Sequence, residues 1–361
     1  MKVDLSEERL EALTAEAVEL LSGLIARPSV SGGEAAAADF IEAFMRRGGL
    51  DVQRSGHNCW AVARSFSDNR PTLLLNAHID TVRPVAGWQR DPFIPRREGD
   101  RLYGLGSNDC GGGLVALLQA FRVFEAVERP YNMVYLASAE EEVSGRGGIE
   151  SVLPQLPRLD VAIVGEPTGM QPAIAEKGLM VLDVTAHGRS GHAARNEGVN
   201  AIYEALPDME WFRTHRFARV SPLLGEVKMT VTVVHAGTQH NVVPDTCVFT
   251  VDIRSNELYT NEELLDEIKK NVGSTVVARS TRLNSSHIAS DHPLVTRCVA
   301  LGGRPFGSPT LSDQALLSCP SLKLGPGESA RSHTADEYIC VDEIRQAISF
   351  YCRLLAGGQL A

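Results

Sequence analysis

The chain has 361 residues, 43% of them hydrophobic, enough material for more than one core, so two domains are expected. Lys and Arg total 35 against 45 Asp and Glu, a formal charge of −10, which argues against nucleic acid or an anionic membrane surface as the main partner. No stretch reaches the roughly 18 apolar residues of a membrane span, and the charged opening MKVDLSEERLEALTAEA has no apolar leader core, so a cytoplasmic location is expected. The cysteines Cys59, Cys110, Cys247, Cys298, Cys319, Cys340 and Cys352 are scattered without a Cys-x-x-Cys pair. Free, mostly buried thiols follow, rather than a disulfide framework or a thiolate zinc site.

Leu10, Leu13, Val18, Leu21, Leu24 and Ile25 recur at helical spacing and predict a first amphipathic helix that breaks at Pro28. Ser31-Gly32-Gly33-Glu34 fits a capping box, opening a second helix to about Arg47. Strands are expected around Val52, over Trp60 to Arg64, and over Pro71 to Ala77. The last of these delivers His78-Ile79-Asp80 at its C-terminal end, where open α/β sheets place ligands. Asp80 is placed to accept the second imidazole N–H of a metal-bound His78. Taken alone, a His-x-Asp pair on a surface would look the same.

Gly104, Gly106 and Gly111 to Gly113 then bracket Asp109, allowing close backbone approach to something small, and helical spacing resumes over Leu114 to Phe124. The run lacks the GxxxxGK[ST] lysine and the GxGxxG spacing, which excludes the common nucleotide loops. Met133 to Ala137 reads as a buried strand that empties into Glu140-Glu141-Glu142, either a solvated turn or a functional cluster. Asp160 to Val164 does the same into Gly165-Glu166-Pro167-Thr168.

From Lys177 the pattern changes to strand, helix, strand, strand, helix, strand, the ferredoxin-like split βαβ order, in an inserted domain of about 110 residues. Its strands VKMTVTVVHA and CVFTVDIR could pair edge to edge with a second copy, so a homodimer through this domain is expected. After Pro293 the first style returns: a helix over Leu294 to Leu301, a strand over Ser321 to Leu324, Gly325-Pro326-Gly327, Ser332-His333-Thr334, and a closing helix over Val341 to Leu355. The reading is therefore an α/β domain with a mixed sheet between helices, residues 1–176 and 286–361, and an inserted ferredoxin-like α+β domain, residues 177–285.

Collected, the strand-end polar residues are His78, His333, Asp80, Asp109, Glu140 to Glu142 and Glu166. Few imidazoles among many carboxylates suit two borderline dications about 3.5–4 Å apart, sharing a bridging carboxylate. Asp109, boxed in by glycines, is the natural bridge. A spare carboxylate could then take a proton from a water that the dications acidify.

The fragments HID, GLGSNDCGG, AEEEVSGRGG, GEPT, GRSGHAARN, HNVVPD, VDIR and SHTADEY, in this order along nearly the whole chain, resemble the dinuclear-zinc amidohydrolase and peptidase family of acetylornithine deacetylase, succinyl-diaminopimelate desuccinylase, aminoacylase and carboxypeptidase G. The resemblance implies two divalent metals per chain, zinc with cobalt or manganese as alternatives. His78 and Glu166 would hold one, Glu142 and His333 the other, Asp109 would bridge, and Asp80 would support His78. It makes Glu141 the general base, or Glu140 the base and Glu141 the ligand if the acidic run slips by one residue. His192 matches an oxyanion-stabilising histidine that reaches the other subunit's site, Asn241 and Arg254 match substrate-binding residues, and Gly325 matches a loop on the acyl side. One departure is that Cys110 and Gly111 follow the bridge where the family usually has a Lys-Gly-Gly stretch. The implied reaction is hydrolysis of an N-acyl amino acid, of the N-acetyl- or N-succinyl-ornithine or citrulline kind, with a dipeptidase or aminopeptidase and a catalytically silent binding protein as the other readings.

Overall fold

The computed structural model describes residues 5–195 and 197–358. The described chain divides into two compact units. One runs up to Ile174 and takes in Ile288–Phe306 and the residues from Ser312 on; the other comprises Ala175–His287 and Gly307–Leu311. The short Gly307–Leu311 piece of the second unit falls outside the insert boundaries read from the sequence.

In the first unit the sheet runs in the order Val52–Ser55, Asn58–Val62, Asn132–Ser138, Thr72–His78, Val161–Val164, Ser321–Lys323. Thr72–His78 lies parallel to both of its neighbours, Asn132–Ser138 and Val161–Val164, and the two outer strands Val52–Ser55 and Asn58–Val62 run antiparallel. Every residue of Thr72–His78 and of Asn132–Ser138 is buried, which is why both read as near-continuous apolar runs rather than alternations. Helices cover both faces. Leu73, Leu75 and Ala77 join a core with the helices Glu7–Ile25, Gly112–Phe124 and Val341–Ala356, while Leu74 points to a second cluster with Trp60, Val134, Ile149 and Val152. Each such leucine contributes about 1.5–3 kcal/mol by leaving water. The chain goes to one side of Thr72–His78 for the next parallel strand and to the other side for the one after, so a crevice opens at the shared C-terminal edge.

Two local expectations fail. Ser31 and Glu34 form no capping box: Glu34 sits at the N-cap of the helix Ala35–Arg47 without a side-chain cap bond, because both side chains turn toward the site. The glycine run meets protein, not a ligand: a Cβ on Gly113 would lie 1.7 Å from the Gly165 carbonyl oxygen, so glycine there lets the helix start pack onto the Glu166 turn. Unanticipated is a three-stranded sheet of Arg96–Glu98, Arg101–Tyr103 and Tyr338–Cys340, which brings the chain after His333 back against the glycine loop.

The second unit has the antiparallel order Lys228–Ala236, Thr246–Arg254, Met180–His187, Thr275–Ala278, with the helices Ala201–Thr214 and Asn261–Asn271 supplying Ala205, Phe212, Leu264 and Ile268 to its own core. In chain order this is strand, helix, strand, strand, helix, strand, with the strands ordered 2-3-1-4, the split βαβ arrangement. Lys228–Ala236 is an edge strand, with Val233 and Val234 exposed at 42% and 50%. Among the described residues no helix is long and apolar enough to cross a membrane.

Candidate metal centre

His78 closes its strand with a side chain 1% exposed. Its Nδ1 lies 2.9 Å from the Asp80 main-chain oxygen and 3.4 Å from the Asp80 carboxylate. A carbonyl only accepts, so in the neutral ring the proton sits on Nδ1 and the Nε2 lone pair faces outward. The supporting acceptor is thus nearer on the Asp80 main chain than on its side chain. The carboxylate instead accepts from the amides of Glu141 (3.0 Å) and Glu142 (3.1 Å) and from the Ser31 hydroxyl (2.7 Å).

Around His78 Nε2 stand Asp109 Oδ1 at 3.5 Å and Glu166 Oε1 at 3.8 Å. The other Asp109 oxygen faces His333 Nε2 at 3.4 Å. One carboxylate therefore looks at two imidazoles, one oxygen to each. Glu142 brings its two oxygens to 3.0 and 3.1 Å from the same His333 nitrogen. Donor atoms of His78, Asp109 and Glu142 lie within 4.8 Å of one another, as do those of His78, Cys110 and Glu166.

The acidic run separates by role. Glu140 is left-handed at φ 55° and folds its carboxylate back onto the Gly147 amide at 2.9 Å, away from the imidazoles. Glu142 takes His333. The Glu141 carboxylate has no hydrogen-bond partner among the described residues; burial, with Glu166, Asp313 and Glu142 adding repulsion, pushes it well above the usual carboxylate range. Burial also pushes Glu166 up to about 8, helped by Asp109 and Glu142 and opposed by His78. The Glu142 hydrogen bond raises His333 to about 9. Cys110 is buried with Sγ 3.4 Å from the Gly165 oxygen, and burial holds its thiol well above the ordinary range, as suits a packing residue.

The residues fit a pair of dications. Glu166 Oε1 is buried without a hydrogen-bond partner while aimed at an imidazole nitrogen, and the repulsion of Asp109 and Glu142 on it is opposed by His78 and the buried Lys323. The donor set is imidazole and carboxylate, as zinc, cobalt and manganese accept.

Other contributors carried no local signal in the sequence. Glu337 is 2% exposed and accepts from the amides of Gly106 (3.2 Å), Asn108 (2.8 Å) and Asp109 (2.9 Å), fixing the loop that presents Asp109. Asp313 receives hydrogen bonds from Asn76 (2.9 Å) and Ser138 (2.6 Å) beneath the strand ends. Gly325 bonds Thr168 through both its amide and its carbonyl, at 3.1 Å each, and a Cβ there would meet the Glu166 oxygen at 2.5 Å. It holds the Glu166 turn.

In the second unit, Gly191–His192 pairs with Val242–Val243, and the Ala193 amide donates to the Asn241 carbonyl at 3.0 Å, so His192 and Asn241 lie close together on an exposed strip. The Ala194 amide donates to His192 Nδ1 at 3.1 Å, which leaves the N–H of the neutral ring on Nε2. Arg254 forks Asp252 at 2.9 and 3.2 Å.

Residues 74–357 match the model of peptidase family M20/M25/M40. The chain belongs to this family. It is 28% identical over 356 residues to the acetylornithine deacetylase of Proteus mirabilis, covering 89% of this chain and 91% of that protein. By fold it is similar to aminopeptidase PepT from Bacillus cereus (TM-score 0.75, 18% identity, 96% and 98% of the two chains) and to a dinuclear metal-binding M20 peptidase of Bacillus subtilis (TM-score 0.73, 13% identity, 96% and 98%).

Proposed function

We propose that this family member hydrolyses the amide bond of N-acyl amino acids, in the manner of an acetylornithine deacetylase, with two divalent metal ions per chain. The observation that carries the reading is Asp109 between His78 and His333, with the Glu141 carboxylate near enough to His78, Glu166 and Glu142 to interact with their charges. His78 and Glu166 would hold one ion, Glu142 and His333 the other, and Asp109 both; zinc is the ion favoured by the donor set. When bound, the ions polarise the scissile carbonyl and acidify water.

The chain's own residues do the rest. Glu141 takes a proton from the attacking water and passes it to the leaving amine. The register with Glu140 as base is disfavoured, since Glu140 is spent on Gly147 and Glu142 is the carboxylate on His333. His192 Nε2–H donates to the oxygen that gains charge, Asn241 and Arg254 bind the substrate's amino-acid half, and Gly325 backs the acyl side. Arg254 would exchange Asp252 for the substrate carboxylate.

The proposal includes a cytoplasmic homodimer formed through the Lys228–Ala236 edge, in which a second copy supplies His192. The exposed Val233 and Val234 on an edge strand support it. A role in arginine biosynthesis follows if the substrate is N-acetylornithine. The rival is a dipeptidase or aminopeptidase, favoured by the fold likeness to PepT.

A panel of N-acetyl and N-succinyl ornithine, citrulline and diaminopimelate beside simple dipeptides, assayed with zinc, cobalt or manganese, decides between them. Acyl amino acid turnover is expected. A dipeptide-only profile would overturn the choice of substrate.

A further inference from the structure

The Ser31-Gly32-Gly33-Glu34 segment has a use that helix capping does not explain. Glu34 is 0% exposed. Its Oε1 accepts from the Gly32 amide at 2.9 Å and from the Glu140 amide at 3.2 Å, and its Oε2 lies 2.9 Å from Nδ1 of His57, a side chain 30% exposed. Asp80 accepts from the next two amides, those of Glu141 and Glu142. Three consecutive amides of the acidic turn thus end on two buried carboxylates; Ser31, whose hydroxyl donates to Asp80 at 2.7 Å, is the chain neighbour of Gly32, whose amide donates to Glu34.

Glu140 is where the chain leaves the strand Asn132–Ser138, and it does so at φ 55°, a conformation a non-glycine residue keeps only where its surroundings hold it. The direction of that exit sets where the next two side chains go. Asn58, also 0% exposed, steadies the same corner by accepting from the Ala139 amide at 2.9 Å and donating to the Gly147 oxygen at 2.7 Å.

We infer that Glu34 is a positioning residue for the acidic turn: by accepting the Glu140 amide it aims the Glu141 and Glu142 carboxylates at the metal centre. This rests on the proposed role of Glu141, and the test separates the two. The zinc-loaded enzyme is compared as wild type, Glu34→Gln, Glu34→Ala and His57→Ala. Glutamine keeps an oxygen for the two amides; alanine removes it.

For Glu34→Ala, kcat on the best panel substrate should fall on the order of 10²-fold with KM little changed, as for any small misplacement of a reacting group. Residue-resolved hydrogen exchange should show the Glu140 amide at least about tenfold less protected, with distant sheet amides unmoved. Glu34→Gln should restore both readouts, and His57→Ala should move them least. Unchanged exchange at Glu140 in Glu34→Ala overturns the inference, as does an equal kcat loss in the glutamine and alanine variants. If wild type hydrolyses no panel member, the proposed reaction fails, while the exchange pattern still decides whether Glu34 holds the turn.

Discussion

The polar residues of the two units live in different surroundings. In the first, His78 and Asp80 have side chains 1% and 0% exposed and Asp109 only 12%; the Asp80 main chain meets His78, the Glu141 and Glu142 amides hold the Asp80 carboxylate, and the Glu337 carboxylate holds the Asp109 amide. In the second, His192 and Asn241 lie exposed on a two-strand ribbon, and Arg254 keeps 35% of its side chain in solvent. Burial costs a charged group its hydration, so the first set must be paired, neutralised or given cations, and its titration shifts accordingly. The second set stays in contact with solvent. Substitutions in the first unit should therefore act through metal and proton chemistry, and those in the second through substrate alone.

The largest effect expected is from Glu141→Gln, which removes the proton carrier but no ligand: kcat should fall on the order of 10²–10⁴-fold while elemental analysis still finds two metals per chain. Loss of metal with activity would make Glu141 a ligand and erase the division of roles within the acidic run. His192→Ala should lower kcat on the order of 10²–10³-fold with an unchanged melting temperature, because it removes an exposed donor and no packing. A matching fall in stability would make His192 structural.

Asp80→Asn comes next. The Glu141 and Glu142 amides meet different oxygens of Asp80, one of which asparagine replaces with an NH2 group, and metal affinity measured by chelator competition should drop about 10–100-fold. Little change would mean that the Asp80 main-chain oxygen alone sets the imidazole.

A pH series sharpens the same contrast. In the metal-free protein Glu166 titrates at about 8 and His333 at about 9, both above their ordinary values of 4.5 and 6.5. The folded state therefore holds more protons than the unfolded one, and the metal-free protein loses stability as pH rises, through 4.5 to 8 for Glu166 and through 6.5 to 9 for His333. Metal uptake expels those protons, so the rise in melting temperature on adding zinc should grow from pH 6 to pH 9. The smallest effect on stability belongs to Val234→Lys on the exposed edge, which should turn a dimer into monomers by light scattering while moving the monomer's stability by no more than about 0.5 kcal/mol; because the second copy supplies His192, kcat should fall with the dimer.

Strands of the first unit were legible because their burial on both faces leaves a near-continuous apolar signature, and residues at their ends stand out by contrast: His78 closes one such run, and Glu140 and Glu166 each follow another by two residues, Glu140 opening the acidic stretch that ends in Glu142. What was illegible is the support. Glu34, Glu337 and Asp313 act across 106, 228 and 175 residues of sequence, on the Glu140 amide, the Asp109 amide and the Ser138 hydroxyl, and a carboxylate reaching so far leaves no periodicity. Glu34 was misread for that reason, since a Ser-x-x-Glu spacing before a helix satisfies the local rule while the tertiary fold uses both side chains elsewhere. The glycines misled in the opposite sense: a close backbone approach was foreseen, but its partner is the Gly165 carbonyl.

The central claim is that a pair of dications shares Asp109. Anomalous diffraction from zinc-loaded crystals, recorded on both sides of the zinc edge, tests it most directly. Two peaks are predicted, one among His78, Asp109 and Glu166 and one among Asp109, Glu142 and His333. A single peak, or peaks away from Asp109, would contradict the account.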